Sequence, residues 1–278
     1  MYRITEKRSL NPTVTMMEIE APYVAASARP GQFVILRVDE GGERIPLTVA
    51  GYDREKGTVR IIFQIVGATT SALNRKNVGD TIPDFAGPLG KPTEVEGLKK
   101  VCVVGGGVGC AIALPIAEEL HRLGCEVHTV IGFRSKDLLI LEKEFAAVSD
   151  RLAVMTDDGS AGRQGVVTLP LGEWLSAGEN YDEIITIGPL IMMKFVVATA
   201  KPFGVPTVVS MNPIMIDGTG MCGGCRVNVG GETKFVCVDG PEFDGLKVDF
   251  DGMMKRLQAY KPQERRMMED HVCHLTNA

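Results

Sequence analysis

The chain has no apolar run long enough to span a bilayer, no internal repeat and no low-complexity tract. It has no excess of positive charge either. With 30 Lys plus Arg against 35 Asp plus Glu, the basic footprint of a nucleic-acid binder is missing. The opening residues, Met1 to Arg8, lack the apolar core that follows the basic residues of a secretory signal, so the expected setting is the cytoplasm, with no membrane partner. Histidine is scarce: His121, His128, His271 and His274 form no ligand or triad spacing. No Ser-His-Asp arrangement or paired carboxylate stands out, which leaves hydrolysis poorly supported. The 7 cysteines are an odd number, and three of them crowd into one glycine-rich window instead of spreading as a disulfide framework. A reducing compartment suits them.

What is present divides the chain. At 278 residues there is length for two ordinary domains and an appendage. Up to about residue 97, short β-branched runs (Val14 to Ile19, Phe33 to Val38, Leu47 to Ala50, Thr58 to Val66, Thr81 to Phe85) alternate with turns such as Pro30-Gly31 and Gly79-Asp80. That pattern predicts an all-β barrel or sandwich over 1–97. Over 98–210, strands at Val101 to Val104, Val127 to Gly132, Leu152 to Thr156, Glu183 to Ile187 and Thr207 to Ser210 alternate with helical stretches, which predicts a doubly wound parallel α/β sheet. Residues 211–240 are rich in Gly and Cys and have no apolar period, so a cofactor is expected to order them. Residues 241–278 are expected to form a helical tail, broken at Pro262.

Two motifs carry chemistry. Gly105-Gly106-Gly107-Val108-Gly109 follows a strand and opens a helix, where small residues let backbone amides approach a pyrophosphate at the helix's positive end. The sixth position of the dinucleotide fingerprint is Cys110, whose thiol is either acidified there or simply packed. Arg134 and Lys136, after the second strand, either hold a 2′-phosphate or are solvated, so NAD and NADP both stay open. The second motif is Asp217-Gly-Thr-Gly-Met-Cys222-Gly-Gly-Cys225 with Cys237 further on. This is the spacing of a plant-type [2Fe-2S] ligand set with aspartate at the first position. A zinc knob on the same cysteines is the competing reading, although no further Cys or His lies between Asp217 and Cys237.

In order along the chain come Pro30-Gly31-Gln32-Phe33, Arg44-Ile45-Pro46-Leu47-Thr48, Gly67-Ala68-Thr69-Thr70, Gly87-Pro88-Leu89-Gly90, the Gly105 to Gly109 turn, Thr156-Asp157-Asp158-Gly159, Gly188-Pro189-Leu190-Ile191-Met192-Met193 and the cysteine loop. This series resembles the ferredoxin-NADP reductase superfamily, and within it the electron-transfer subunits of dihydroorotate dehydrogenase. The aspartate in the ligand set is similar to that of the small subunits of NADH-dependent reduced ferredoxin:NADP oxidoreductase, also described as sulfide dehydrogenase.

The resemblance implies FAD on the barrel, a [2Fe-2S] cluster, and NAD(H), with NADP(H) as the alternative nucleotide. It places FAD on Pro46, Leu47, Thr48, Gln64, Ile65, Val66, Gly67, Thr69, Thr70, Gly87 and Pro88. It places the nicotinamide nucleotide on Gly105, Gly106, Gly107, Val108, Gly109, Arg134, Asp157, Asp158, Gly159, Gly188, Pro189 and Met192. The iron ligands would be Asp217, Cys222, Cys225 and Cys237. Arg44 stands four residues before Thr48 where relatives have three, so its contact with FAD is not carried over. The implied partner is a larger subunit with a second, bifurcating flavin and [4Fe-4S] clusters, through which ferredoxin is reached indirectly. The expected activity is an electron relay among the partner's flavin, the cluster, FAD and NAD(H), with no side-chain acid or base. Other readings are the electron-transfer subunit of a dihydroorotate dehydrogenase, the diaphorase subunit of a hydrogenase, and a docking subunit without redox chemistry.

Overall fold

The computed structural model describes residues 1–266. Cys273, His271, His274 and the end of the expected tail lie outside the described residues.

Strands β1 (Tyr2–Asn11), β2 (Val14–Glu20), β3 (Phe33–Arg37), β4 (Arg44–Asp53), β5 (Thr58–Gln64), β6 (Thr81–Ile82) and β7 (Asp84–Leu89) make one antiparallel sheet in the order β6-β1-β2-β5-β4-β3-β7. Only Pro83 separates β6 from β7, so the two sheet ends are one bent stretch of chain and the sheet nearly closes into a barrel. Proline suits that corner because it has no amide to leave unpaired. Met17, Ile19, Val34, Leu36, Ile61, Phe63 and Phe85 fill the interior. β1 is absent from the sequence-based reading because its side chains are mostly solvated: only Ile4 is buried, and pairing with β2 holds the rest. Two short helices, α1 (Pro22–Ser27) and α2 (Ala68–Arg75), interrupt the strands.

The second layer system is a parallel sheet of β8 (Lys100–Gly106), β9 (Glu126–Phe133), β10 (Arg151–Thr156), β11 (Arg163–Gln164), β12 (Glu183–Ile187) and β13 (Thr207–Ser210), in the order β11-β10-β9-β8-β12-β13. Helices α3 (Cys110–Arg122), α4 (Glu142–Val148), α5 (Thr168–Ser176) and α6 (Leu190–Ala200) connect these strands. β8 is buried from Val101 to Gly106, as a strand covered on both faces must be. The chain passes from β8 to β9 on one side and reaches β12 on the other, so the strand order reverses between β8 and β12. Open α/β sheets bind ligands at such a switch point.

After β13 the chain makes an excursion through β14 (Arg226–Val229), β15 (Glu232–Phe235) and α7 (Val236–Asp239). It returns as β16 (Glu242–Asp244), antiparallel to β13 with Ser210 opposite Glu242. The start of the expected helical tail is therefore a sheet edge. Helix α8 (Phe250–Leu257) follows, capped by Asp249, whose carboxylate accepts from the Gly252 amide at 2.9 Å. The helical interruption lies at residues 258–260, and Pro262 sits inside the helical stretch 261–266 instead of breaking it. Proline is tolerated in a first turn, where its missing amide is an orphan in any case.

Two cores tie these parts together. Val14, Met16, Ala50 and Ile62 of the barrel pack with Ala111, Leu114 and Ile131 of the sheet layer. Phe33 and Ile35 of β3 share a second core with Leu190, Met193, Met211, Met215, Val227, Cys225 and Cys237.

Candidate functional site

On the barrel, Ile45, Pro46, Leu47 and Thr48 are all half-buried, which breaks the alternation of a covered strand. Ile45 and Leu47 lean on the barrel interior. Pro46 and Thr48 therefore face outward, and Arg44 shares their side because strand faces repeat every second residue. The four-residue spacing keeps Arg44 on the face of Thr48, as a spacing of three would not. Beside this face, β5 ends in Gln64-Ile65-Val66, and Gly67 precedes α2 without a side-chain cap. The first amides of α2 have no intrahelical acceptor, which suits a diphosphate. Thr70 does not face outward with its hydroxyl free: its Oγ1 accepts from the amides of Val66 at 3.0 Å and Gly67 at 3.1 Å. Thr70 therefore shapes the turn, while Thr69 donates to Glu43 at 3.2 Å. Gly87 and Pro88 lie on β7, with Gly87 against Val34.

At the switch point the glycines divide into two kinds. A Cβ on Gly106 would strike Met192 Sδ, and one on Gly109 would come within 2.8 Å of Gly188 Cα. These two glycines serve the contact between neighbouring loops, with Gly188, Pro189 and Met192 as the opposite wall. Gly107 differs, with φ of 56° and open space beyond it. It leaves bare backbone open at the turn. Gly105 lies over Cys110, whose thiol burial drives far above its ordinary range. Cys110 is packing, and the acidified alternative falls. Val108 packs against the core that contains barrel residue Ile62, which brings the nucleotide turn beside β5.

Farther along the strand ends, Asp157, Asp158 and Gly159 form an exposed turn after β10. Asp158 accepts from the Ser160 hydroxyl at 2.6 Å and the Ser160 amide at 3.0 Å, which hold its carboxyl below the usual range. Arg134 is exposed after β9, and its carbonyl accepts from the Asp158 amide at 3.3 Å.

The four expected iron ligands fall into two pairs. Asp217 accepts the amides of Thr219 at 2.9 Å and Cys222 at 2.8 Å, one on each carboxylate oxygen. These bonds, Thr219 first, hold its carboxyl below the ordinary range, and each oxygen keeps a lone pair for a metal. Cys225 and Cys237 have sulfurs 3.3 Å apart and are buried. Burial, then the neighbouring Cys225, pushes the Cys237 thiol up to about 12. Among the described residues no three His, Cys, Asp or Glu side chains converge on one point, which a mononuclear zinc site would need. Two pairs of donors, each for one metal of a binuclear cluster, match what the residues present. Gly218, with φ of 76°, lets the loop settle on the barrel: a Cβ there would meet Leu89 at 2.7 Å and Ile35 at 2.8 Å.

Sequence reasoning passed over Arg226 and Arg256, which donate to the carbonyls of Gly223 at 3.0 Å and Gly224 at 3.1 Å inside the cysteine loop. Arg226 had a signal in following Cys225 directly. Arg256 had none, because α8 is far along the chain.

Comparisons with known proteins agree with this layout. Residues 212–249 match the iron-sulfur cluster binding domain of dihydroorotate dehydrogenase B. The chain is 51% identical over 265 residues to the dihydroorotate dehydrogenase B (NAD(+)) electron transfer subunit homolog of Thermotoga maritima, covering 95% of this chain and 93% of that one. A probable dihydroorotate dehydrogenase B (NAD(+)) electron transfer subunit of Methanocaldococcus jannaschii is 37% identical over 250 residues, covering 89% and 90%. A solved structure from work on flavin-based electron bifurcation by the NADH-dependent reduced ferredoxin-NADP oxidoreductase superposes with a TM-score of 0.92 at 49% identity, covering 98% of both chains. The ferredoxin reductase in carbazole 1,9a-dioxygenase, 21% identical with a TM-score of 0.62 over 74% of this chain and 65% of that one, shares the fold. Barrel, switch-point sheet and paired-ligand loop thus stand together in a chain that belongs to the dihydroorotate dehydrogenase B electron-transfer subunit family.

Proposed function

We propose that this chain is the small subunit of an NADH-dependent reduced ferredoxin:NADP oxidoreductase, passing electrons between a flavin-bearing partner and NAD(H). The observation that carries the reading is the cluster loop: two ligand pairs, one solvent-facing, seated on Ile35 and Leu89 of the barrel. FAD, a [2Fe-2S] cluster and NAD(H) are its cofactors. Bound FAD supplies the conversion between one-electron and two-electron transfer.

The chain's own residues hold and separate these groups. Pro46 and Thr48 offer a half-buried face to the flavin ring, with Leu47 giving only its backbone between them, and Gln64, Ile65, Val66, Gly67 and the start of α2 receive its ribityl and diphosphate. Gly87 and Pro88 flank that face from β7. Gly107 and the opening of α3 receive the nucleotide's pyrophosphate, with Asp157, Asp158, Gly159 and Arg134 toward its ribose. Gly188, Pro189 and Met192 close the switch point. The working boundaries are 1–97 for the FAD barrel, 98–210 for the nucleotide sheet, 211–240 for the cluster and 241–278 for the tail.

Exposed Ile214, Ile216, Met221 and Val238 lie in the segments around the exposed Cys222. An apolar patch of this kind marks a protein contact, and the larger partner with its own flavin and [4Fe-4S] clusters is assigned to it. Ferredoxin is then met on that partner. Among the described residues no helix is long and apolar enough to cross a membrane.

The test is anaerobic purification with the companion chain, followed by NADH addition. Bleaching of the flavin band and a [2Fe-2S] electron paramagnetic resonance (EPR) signal are expected; a zinc-loaded, flavin-free protein sinks the reading. The names of two relatives favour a second assignment, electron transfer from dihydroorotate. Flavin reduction by dihydroorotate in the native complex, without NADPH-dependent ferredoxin reduction, would decide for it.

A further inference from the structure

We propose that Arg226 and Arg256 are positioning residues that raise the reduction potential of the cluster by fixing and polarising the Gly223-Gly224 segment between its ligands. The proposal rests on the reading that the loop holds a [2Fe-2S] cluster. One peptide unit carries the argument. Its carbonyl, on Gly223, accepts from Arg226 Nη1 at 3.0 Å, and its amide, on Gly224, donates to Cys222 Sγ at 3.4 Å. A trans peptide points its oxygen and its hydrogen in opposite directions, so a cation held at the oxygen end aims the N–H at the sulfur. Hydrogen bonds in series polarise one another, which strengthens the bond to sulfur. The next carbonyl, on Gly224, is taken by Arg256 Nη2 at 3.1 Å from α8.

Asp249 lines the same groove as the two arginines, but its carboxylate caps α8 on the Gly252 amide. Among the described residues neither guanidinium has a carboxylate within ion-pair distance. Both line a groove of about 330 Å³ between β14 and α8, so their field reaches the loop while dissolved ions can still screen it. Reducing a cluster adds negative charge, and cations together with N–H donors to its sulfurs favour the reduced form. Arg226 stands next to Cys225 and Arg256 arrives from a separate helix, so the two act on one loop from opposite chain directions.

Arg226→Gln, Arg256→Gln and their lysine counterparts would be compared with the wild-type chain in its native complex. Iron and acid-labile sulfide are assayed, and the midpoint potential is read by EPR-monitored redox titration. Each glutamine variant is expected to keep iron and sulfide and to titrate lower, with the reduced-to-oxidised ratio at the wild-type midpoint falling about three- to tenfold. Lysine, which keeps the charge, restores part of the shift. Added salt narrows the gap in potential between the wild type and the doubly glutamine-substituted protein. Loaded glutamine variants that titrate with wild type overturn the proposal. If Arg256→Gln loses its cluster by misfolding, Arg226→Gln decides alone, because its exposed side chain leaves the packing intact. A wild-type chain without iron and sulfide fails the cluster reading itself, a separate outcome.

Discussion

The two halves of the ligand set live in different surroundings. Cys225 and Cys237 are core residues, packed with Phe33 and Ile35 of the barrel and Met193 of the sheet layer. Asp217 and Cys222 belong to a loop held by its own hydrogen bonds together with Arg256 on the Gly224 carbonyl, and Cys222 is exposed. One half is part of the wall that joins barrel, sheet and cluster segment; the other is the face offered outward. The proposed ligands of one cluster therefore carry unequal structural duties, and substitutions in the two halves should fail differently.

The largest effect is expected from the buried half. Cys225→Ser or Cys237→Ser should abolish the native cluster and also lower stability by about 1–3 kcal/mol, since a hydroxyl replaces an apolar thiol in the core. Iron content and urea unfolding measure both losses; loss of iron with unchanged unfolding would break the distinction drawn above. Next, Asp217→Ala and Asp217→Cys should each change the cluster's visible and EPR spectra while lowering the urea midpoint less than either buried substitution, for the two amide bonds lost from an exposed loop. Unchanged spectra in both would show that the carboxylate never binds iron.

Cys222→Ala should leave an altered cluster species on a fold of unchanged stability, because the side chain it removes is exposed. The smallest effect on the cluster comes from the chain that leads away from Cys237. Glu242, on β16, accepts from Thr93 Oγ1 at 2.8 Å, and its carboxyl is pushed up to about 7, by burial first and then by Glu183 and Glu94, against the lowering by Thr93. The folded state holds this proton more tightly than the unfolded one, so stability is fully present below about 4.5 and declines as pH rises to about 7. Glu242→Gln should therefore gain on the order of 3 kcal/mol over wild type at pH 8, with the gap closing toward pH 4.5 and the cluster spectra untouched. A gap independent of pH in urea titrations would contradict that ionisation.

Much of this was legible before any coordinates. β-branched runs bounded by turns, such as Phe33 to Val38, and apolar runs such as Val101 to Val104 marked the two sheets, because a strand covered on both faces has little room for polar side chains. β1 was not legible, since a strand held by backbone pairing over a polar surface leaves no apolar pattern. The even spacing of Arg44 and Thr48 read as an irregularity until the strand placed them on one face. Spacing nominated Asp217, Cys222, Cys225 and Cys237 as ligands and said nothing of their division into a buried and an exposed pair, because that depends on which barrel strands lie beneath the loop. Among the glycines of the nucleotide turn, the sequence could not separate Gly106 and Gly109, pressed by neighbouring loops, from Gly107, which has room.

Ser210 and Glu242 lie opposite each other on adjacent strands, so residues 211–241 leave the sheet and re-enter it one strand away. In engineering terms the cluster unit is a cassette with both ends at neighbouring addresses, and a tight turn could replace it without moving any strand. Such a graft would strip the cover from Phe33 and Ile35, now packed against cassette residues. A minimal flavin reductase cut from this chain would need those two positions recoloured with polar side chains, and the inverse operation would hand a cluster only to a barrel that already bears an apolar landing there.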